Sequence, residues 1–526
     1  MAQVHLQEEL LQSSERISVQ TRYGPVKGGR AANGAAAFLE LPYALPPGRF
    51  QDAKPLPADF WYEDKEYVYE SNYAVQPNND GQAVGMPYED KVGLGKPTEN
   101  PLFVNVVCPP SFPSKNAFPV KVYIHGGFLQ FGSPHGMSCQ AQFVSAERSE
   151  VWVNIGYRLS AFGFLACDQP KVDGNFGFKD QWLALLWIQQ NIAAFGGDPN
   201  NIQVTGLSAG AHSVHQLLHH ASRLPEGQQA PFQSAVMQSN AIVITPKTPA
   251  ELRPQFVALC RALNLDPDSP DILSTLRDPT QVPASAITHV IETDALGTEY
   301  GTFRGCWEAG WLGSSPDAMT WQRSGGLARA LKAKGVRSVV LGDLTEEWYL
   351  YSIAHPVKSM HDIELNMERY YPSEVVKKLM TKYRTVPEGA PHTEFKELLG
   401  EILSDGQVYL PIRLFARDAM AAGLPVVRYE IRWTPEQGRP FGYVTHATDR
   451  SLWALRLPII EPSQADVARA WLDAVAAEVK AVESGDTLSR GLQQVLALKE
   501  DKTIGWKQDD LWDNLMRLLE ALPGET

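Results

Sequence analysis

The chain has 526 residues, of which 44% are hydrophobic, 20% charged and 10% aromatic, a balance that supports a large buried core and excludes extensive disorder. Its formal net charge of −13 argues against a nucleic-acid partner, because phosphates repel an acidic surface. No Lys/Arg-rich run offers a local exception, and no stretch reaches the roughly 18 uninterrupted apolar residues of a membrane span.

The first residues, MAQVHLQEELLQSSERISVQ, lack an apolar h-region and carry acids early, so they do not read as a secretory signal. Five cysteines, Cys108, Cys139, Cys167, Cys260 and Cys306, are widely spaced and form no C-x-x-C pair. Neither a disulfide framework nor a zinc knuckle is expected, and a cytoplasmic, reducing location is. No metal or other cofactor is expected.

Along the chain, residues 55–100 are rich in Pro, Asn, Asp and Gly and read as surface loop, of the length that more often forms a functional rim than a linker. VKVYIHGG (120–127) reads as a buried strand ending in a glycine turn, and VWVNIGYR (151–158) as the next strand. DQWLALLWIQQNIAAF (180–195) has helical spacing and stops at GGDP. NIQVTG (201–206) is a short strand, followed at once by the helical pattern SAGAHSVHQLLHH. VRSVVLGD (336–343) and LPVVRYEIRW (424–433) are further strands, while 350–420 and 464–483 are helical. Strands alternating with helices predict an α/β protein with a mostly parallel sheet.

GLSAG (206–210) fits G-x-S-x-G in the setting that this motif requires, with a strand before it and a helix after it. A serine on so sharp a turn is held in a strained conformation with its hydroxyl above the sheet edge, and the helix directs its first amides toward developing negative charge. Ser208 is therefore the candidate nucleophile. The same helix offers a competing chemistry. His212, His215, His219 and His220 crowd it, and His215 and His219 stand one turn apart in HQLLH. A metalloprotease needs a Glu directly after the first His as its base, and Gln216 cannot do that work. Packed histidines are the better reading.

Taken together, GPVKG (24–28), FLELPYALPPGRF (38–50), NPLFVNVVCP (100–109), NIGYRLSAFGFLA, GNFGFKDQWLALLWIQQNIAAFGGDPNNI and VTGLSAGA occur in the order found in type-B carboxylesterases and lipases, relatives of the cholinesterases, and the chain resembles that family over most of its length. The resemblance implies one α/β-hydrolase domain over residues 1–526, with helical and loop insertions over the site, and a small-molecule ester as partner. It also implies a Ser, an acid and a His in that chain order. In LGDLTEEWYL (341–350) the family register falls on Glu347, with Glu346 the alternative if it shifts by one. Of the histidines after that acid, His355, His361 and His392 lie in the helical, polar insertion and are expected at the surface. His446, in PFGYVTHATDRSLWAL, resembles the family's H-G-x-E/D loop, with Ala447 in place of Gly and Asp449 keeping the acid. His446 would act as base, Glu347 would orient it, and the amide of Ala209 would help to bind the oxyanion.

Departures from the family pattern sharpen the expectation. YIHGGFLQFGS (123–133) aligns without a gap to the family's HGGGF oxyanion loop, so Gly127 and Phe128 become the other expected donors. Only Pro lacks the amide, so Phe128 keeps the donor, but a non-Gly residue at positive φ costs about 1–2 kcal/mol. Its ring is expected to narrow acyl specificity. Leu207, where many relatives carry Glu, removes an anion and disfavours choline-like cationic substrates, which leaves uncharged carboxylic esters as the expected class. Phe128 and Leu207 are thus the candidate substrate-binding residues. The competing reading is a non-catalytic or strongly narrowed member of the fold, used for binding, and the altered loop is the one feature that favours it.

Overall fold

The computed structural model describes residues 4–78, 87–313, 315–485 and 490–525. Its centre is a sheet of twelve strands among the described residues. In chain order these are β1 (Arg16–Thr21), β2 (Gly24–Arg30), β3 (Ala36–Pro42), β4 (Phe103–Cys108), β5 (Phe118–Ile124), β6 (Val151–Ile155), β7 (Gly197–Leu207), β8 (Ser234–Gln238), β9 (Ser338–Leu344), β10 (Val426–Ile431), β11 (Gln494–Leu498) and β12 (Ile504–Gln508). Their spatial order is β1-β2-β3-β4-β6-β5-β7-β8-β9-β10-β11-β12. From β6 to β11 every neighbour pair is parallel, while β1 to β4 form an antiparallel meander and β12 closes the other edge antiparallel. The expected mostly parallel α/β sheet, in the α/β-hydrolase arrangement, is present.

Alternation along the central strands supplies two faces to cover. In β9, Val339 and Leu341 join one apolar cluster and Val340 the other; in β8, Met237 and Val236 divide the same way. Successive side chains of a strand point to opposite faces, so each V-V-L run serves both cores at once. One face is covered by α1 (Phe176–Asn191) and α2 (Ala209–Ser222), with residues such as Leu185, Ile188, Val214 and Leu217 in its cluster. The other is covered by α6 (Pro462–Ser484), which contributes Trp471 and Val475. No helix among the described residues is long and apolar enough to cross a membrane.

The expected strands at 120–127 and 151–158 are shorter, because the chain leaves the sheet after Ile124 and Ile155 to build loops. The helical region 350–420 resolves into several helices, among them α3 (Trp348–Ala354), α4 (His392–Ser404) and α5 (Leu410–Ala421). Between α4 and α5 runs a π-helical turn, Asp405–Tyr409. Residues 55–100 are mostly irregular, as expected, apart from a short helix at Tyr88–Val92 and short paired stretches such as Asn72–Ala74 against Lys96–Thr98; residues 79–86 lie outside the described residues. All five cysteines are buried and free.

Parallel pairing fixes the location of the site. Strands running the same way bring their carboxyl ends to one edge, where the loops after β5, β7, β9 and β10 meet. Those loops carry Gly127, Ser208, Glu347 and His446.

Candidate active site

Ser208 sits between β7 and α2 with φ 59° and ψ −125°, a conformation that costs a non-glycine residue on the order of 1–3 kcal/mol. The turn closes only because its flanks lack side chains. A Cβ on Gly206 would meet the Gly210 carbonyl carbon at 2.2 Å, and one on Gly210 would meet the Ile124 carbonyl oxygen at 2.1 Å. Backbone bonds hold the elbow on both sides: Ser208 N–H donates to the Gln238 carbonyl at 2.8 Å, and His212 N–H to the Ser208 carbonyl at 3.0 Å. Ala209, the first residue of α2, has no earlier turn to donate to, so its amide points out of the helix end.

Glu347 and His446 come together although 99 positions separate them. Glu347 Oε2 lies 2.6 Å from His446 Nδ1. The other carboxylate oxygen accepts the Leu344 N–H at 3.0 Å, and the Glu347 side chain is sealed from solvent. Glu346 faces elsewhere: its carboxylate accepts the Val444 N–H at 2.6 Å and its own amide donates to the Val444 carbonyl at 3.0 Å. The neighbouring acids thus divide the work, one against the imidazole and one stapling the loop that carries it. His446 Nε2 is buried without a hydrogen-bond partner among the described residues. Ala447, standing where the family has Gly, takes φ 68°. Asp449 is buried nearby and accepts Trp453 Nε1–H at 2.8 Å. Burial, reinforced by the charge of Glu347, pushes its carboxyl up to about 6.

The loop after β5 bends through consecutive left-handed residues, Gly127 at φ 109°, Phe128 at 55° and Leu129 at 65°. Phe128 therefore keeps the backbone that a glycine would have, and Leu129 adds a second strained position that the sequence did not flag. A Cβ on Gly127 would lie 2.0 Å from the Phe131 carbonyl oxygen. No hydrogen bond occupies the Gly127, Phe128 or Ala209 amides among the described residues. Two glutamines clamp the loop. Gln76 accepts the Gly132 N–H at 2.8 Å and donates to its carbonyl at 3.0 Å. Gln130 donates to the Phe303 carbonyl at 2.6 Å and accepts the Phe303 N–H at 3.2 Å.

Ser208, Ala209, Phe128 and Leu129 line a narrow inner chamber. The Phe128 ring stands edge-on to Tyr351, with centroids 6.0 Å apart, and Tyr351 in turn stands edge-on to His446 at 5.8 Å. With this ring in the wall, Phe128→Gly is expected to raise kcat/KM for the longest accepted acyl chain by about tenfold, the worth of a methylene or so of apolar space. A chain-length series of nitrophenyl esters checks this, and an unchanged profile would dismiss the ring as a specificity element. A wider outer cavity shares His212, Arg304, Tyr370 and Gln407 with the inner chamber.

Other expected positions resolve as follows. His215 and His219 stack with centroids 4.9 Å apart, and both nitrogens of His215 are engaged, Nε2 with Gln322 at 2.9 Å and Nδ1 accepting the Ile242 N–H at 2.8 Å. Burial lowers the pKa of His215 to about 3 and that of His212 well below the usual imidazole value, so both are neutral packed groups. His361 and His392 are exposed, whereas His355, expected at the surface, is half-buried between Phe128 and the Tyr370 hydroxyl. Leu207 is buried in the apolar cluster that also holds Tyr123 and Val236, and lines neither chamber.

Several residues that shape this site carried no sequence signal. Tyr409, in the π-helical turn, places its hydroxyl 2.9 Å from the Leu344 and Thr345 carbonyls and accepts the Glu347 N–H at 3.1 Å. The inserted residue of such a turn redirects its side chains, and Gln407 from the same turn faces the chamber.

Residues 15–472 match the model of the carboxylesterase family. An uncharacterized esterase/lipase of Schizosaccharomyces pombe is 29% identical over 90% of this chain and 90% of its own. A carboxylic ester hydrolase of Gibberella moniliformis is 30% identical over 79% of this chain and 78% of its own. Among solved structures, a PNB esterase superposes with a TM-score of 0.73 at 23% identity, covering 95% of this chain and 99% of that one, a likeness of fold. With the family model spanning most of its length, the chain belongs to the carboxylesterase family.

Proposed function

We propose that the protein is a serine esterase that hydrolyses carboxylic esters through an acyl-enzyme at Ser208, with the whole chain acting as one catalytic unit. The observation that carries this reading is the 2.6 Å contact of Glu347 with His446 Nδ1, at the sheet edge where Ser208 occupies its strained elbow. In this mechanism the open Nε2 of His446 takes the Ser208 proton as Oγ attacks the ester carbonyl. Glu347 holds the proton on Nδ1 and stabilises the imidazolium. The tetrahedral oxyanion accepts hydrogen bonds from the amides of Gly127, Phe128 and Ala209. As the carbon–alkoxide bond breaks, the imidazolium returns its proton to the leaving alcohol; water then repeats the sequence on the acyl-serine. The wall of the chamber beside Ser208 carries no carboxylate, which disfavours a cationic substrate. The five buried free thiols fit a reducing, cytoplasmic location.

A fluorophosphonate probe tests the reading. The expected result is stoichiometric labelling that maps to Ser208, and the absence of labelling would overturn it. The strained backbone at Phe128 and Leu129 favours the alternative, a protein that binds esters without turning them over; that alternative predicts no covalent adduct.

A further inference from the structure

The inner chamber carries one formal charge in its wall, and ester hydrolysis does not use it. Arg304 lines both the chamber beside Ser208 and the outer cavity. It forms no ion pair among the described residues. Its Nη2 makes long contacts, 3.3 Å to Gln407 Oε1 and 3.5 Å to His212 Nδ1, and its guanidinium lies 5.0 Å from the Tyr370 ring centroid. His212 cannot supply an anion, and the chamber wall holds no carboxylate to balance Arg304. Arg304 is half-buried, and a guanidinium set in a cavity wall with no counter-charge has its N–H groups available to an anionic ligand.

Its position is also fixed. Gln130 of the oxyanion loop binds the backbone of Phe303, the residue before Arg304, in both directions. His212, which Arg304 touches, stands four residues on from the nucleophile, about 6 Å along the helix axis. The guanidinium is thus tied to the same loop that would bind the oxyanion. The other charged residues lie only in the outer cavity, and its cations are already partly engaged. Arg369 pairs with Asp294 at 3.1 Å, and Lys247 Nζ reaches the Glu368 carbonyl at 3.5 Å. Glu251 and Glu299 line the outer cavity and do not reach the inner chamber.

Resting on the esterase reading above, we propose that the preferred substrates are esters with a carboxylate on one arm, and that Arg304 is the residue that binds it. A guanidinium presents its N–H groups as a planar fork that matches a carboxylate, and a charged pair formed away from bulk water is stronger than the same pair in solution. The substrate would supply the counter-charge that the protein omits. This departs from the expectation of uncharged esters, which rested on Leu207, a residue that lines neither chamber.

Two ester sets test the proposal on the full-length protein. The first places the acid on the acyl arm: mono-4-nitrophenyl esters of adipic, pimelic and suberic acids, each against its methyl-capped counterpart. The second places it on the leaving arm: 4-carboxyphenyl butanoate against its methyl ester. The expected result is that in one set the acid exceeds its neutral partner in kcat/KM by about 10- to 100-fold, the range for a hydrogen bond to a charged group. That ratio should collapse in Arg304→Met and be partly restored in Arg304→Lys. Fluorophosphonate labelling of each variant confirms an assembled site, so the ratio is read on intact enzyme. Labelled wild type with no preference for the acid in either set, or a preference that survives Arg304→Met, would overturn the proposal and leave the esterase reading standing. Wild type that takes no label would overturn both.

Discussion

Replacing Ser208 by Ala is expected to lower kcat for a nitrophenyl ester by about 10⁶-fold, with His446→Ala nearly as severe and the double variant no worse than either. Non-additivity is the diagnostic part. If Ser208 Oγ attacks only as His446 removes its proton, losing either group abolishes the same step, and the second loss has nothing left to remove. In the proposed mechanism the residual rate belongs to the amides of Gly127, Phe128 and Ala209, which would still favour the oxyanion of a water attack. Steady-state kinetics of the three variants check this. Losses that multiply would show that the two residues act separately, and the proposed mechanism would fail.

Glu347→Gln is expected to cost about 10⁴-fold in kcat, while Glu346→Gln costs less than about tenfold. The glutamine retains an oxygen that can accept the Leu344 N–H, as Glu347 Oε1 does at 3.0 Å. Its amide nitrogen then faces His446 Nδ1, where the carboxylate oxygen stood at 2.6 Å. A donor there forces Nδ1 to accept, moves the ring proton to Nε2 and leaves no lone pair for the serine. At Glu346 the same change keeps an acceptor for the Val444 N–H, so the loop holds its shape. The two variants differ by one position and no atom count. Comparable losses at both would mean that Glu347 acts through loop stability and not through the tautomer.

The reading of adjacent acids shows how far local sequence reaches. A one-residue offset in a turn decides which carboxylate meets the imidazole, and the family register at LGDLTEEWYL selected the residue that the structure brings to His446. The glycine departures were legible in the same way. Phe128 and Ala447 stand where the family pattern has glycine, and both keep positive φ, at 55° and 68°. Their neighbours enforce the turn whatever residue occupies it. Leu129, at φ 65°, carried no such mark because the pattern places no glycine there.

Arg304, Gln76, Gln130 and Tyr409 were silent in the sequence for a different reason. Each acts on a backbone group or cavity wall far away in the chain: Gln76 on Gly132, Gln130 on Phe303, Tyr409 on Leu344. An isolated glutamine or arginine in a loop has no periodicity and no motif, and only its tertiary neighbours distinguish a clamp from a solvated side chain.

By itself, then, the sequence determined what depends on short range: the alternation that makes the strands, the strand–turn–helix that strains Ser208, and the motif order that orders Ser, acid and His. The tertiary structure decided what depends on convergence. Parallel strands brought four distant loops to one edge, the π-helical turn aimed Tyr409 and Gln407 inward, and a guanidinium was left in the chamber beside Ser208 without a protein counter-charge. Burial and the lack of a partner are properties of surroundings that many segments assemble, so no single stretch of the chain states them.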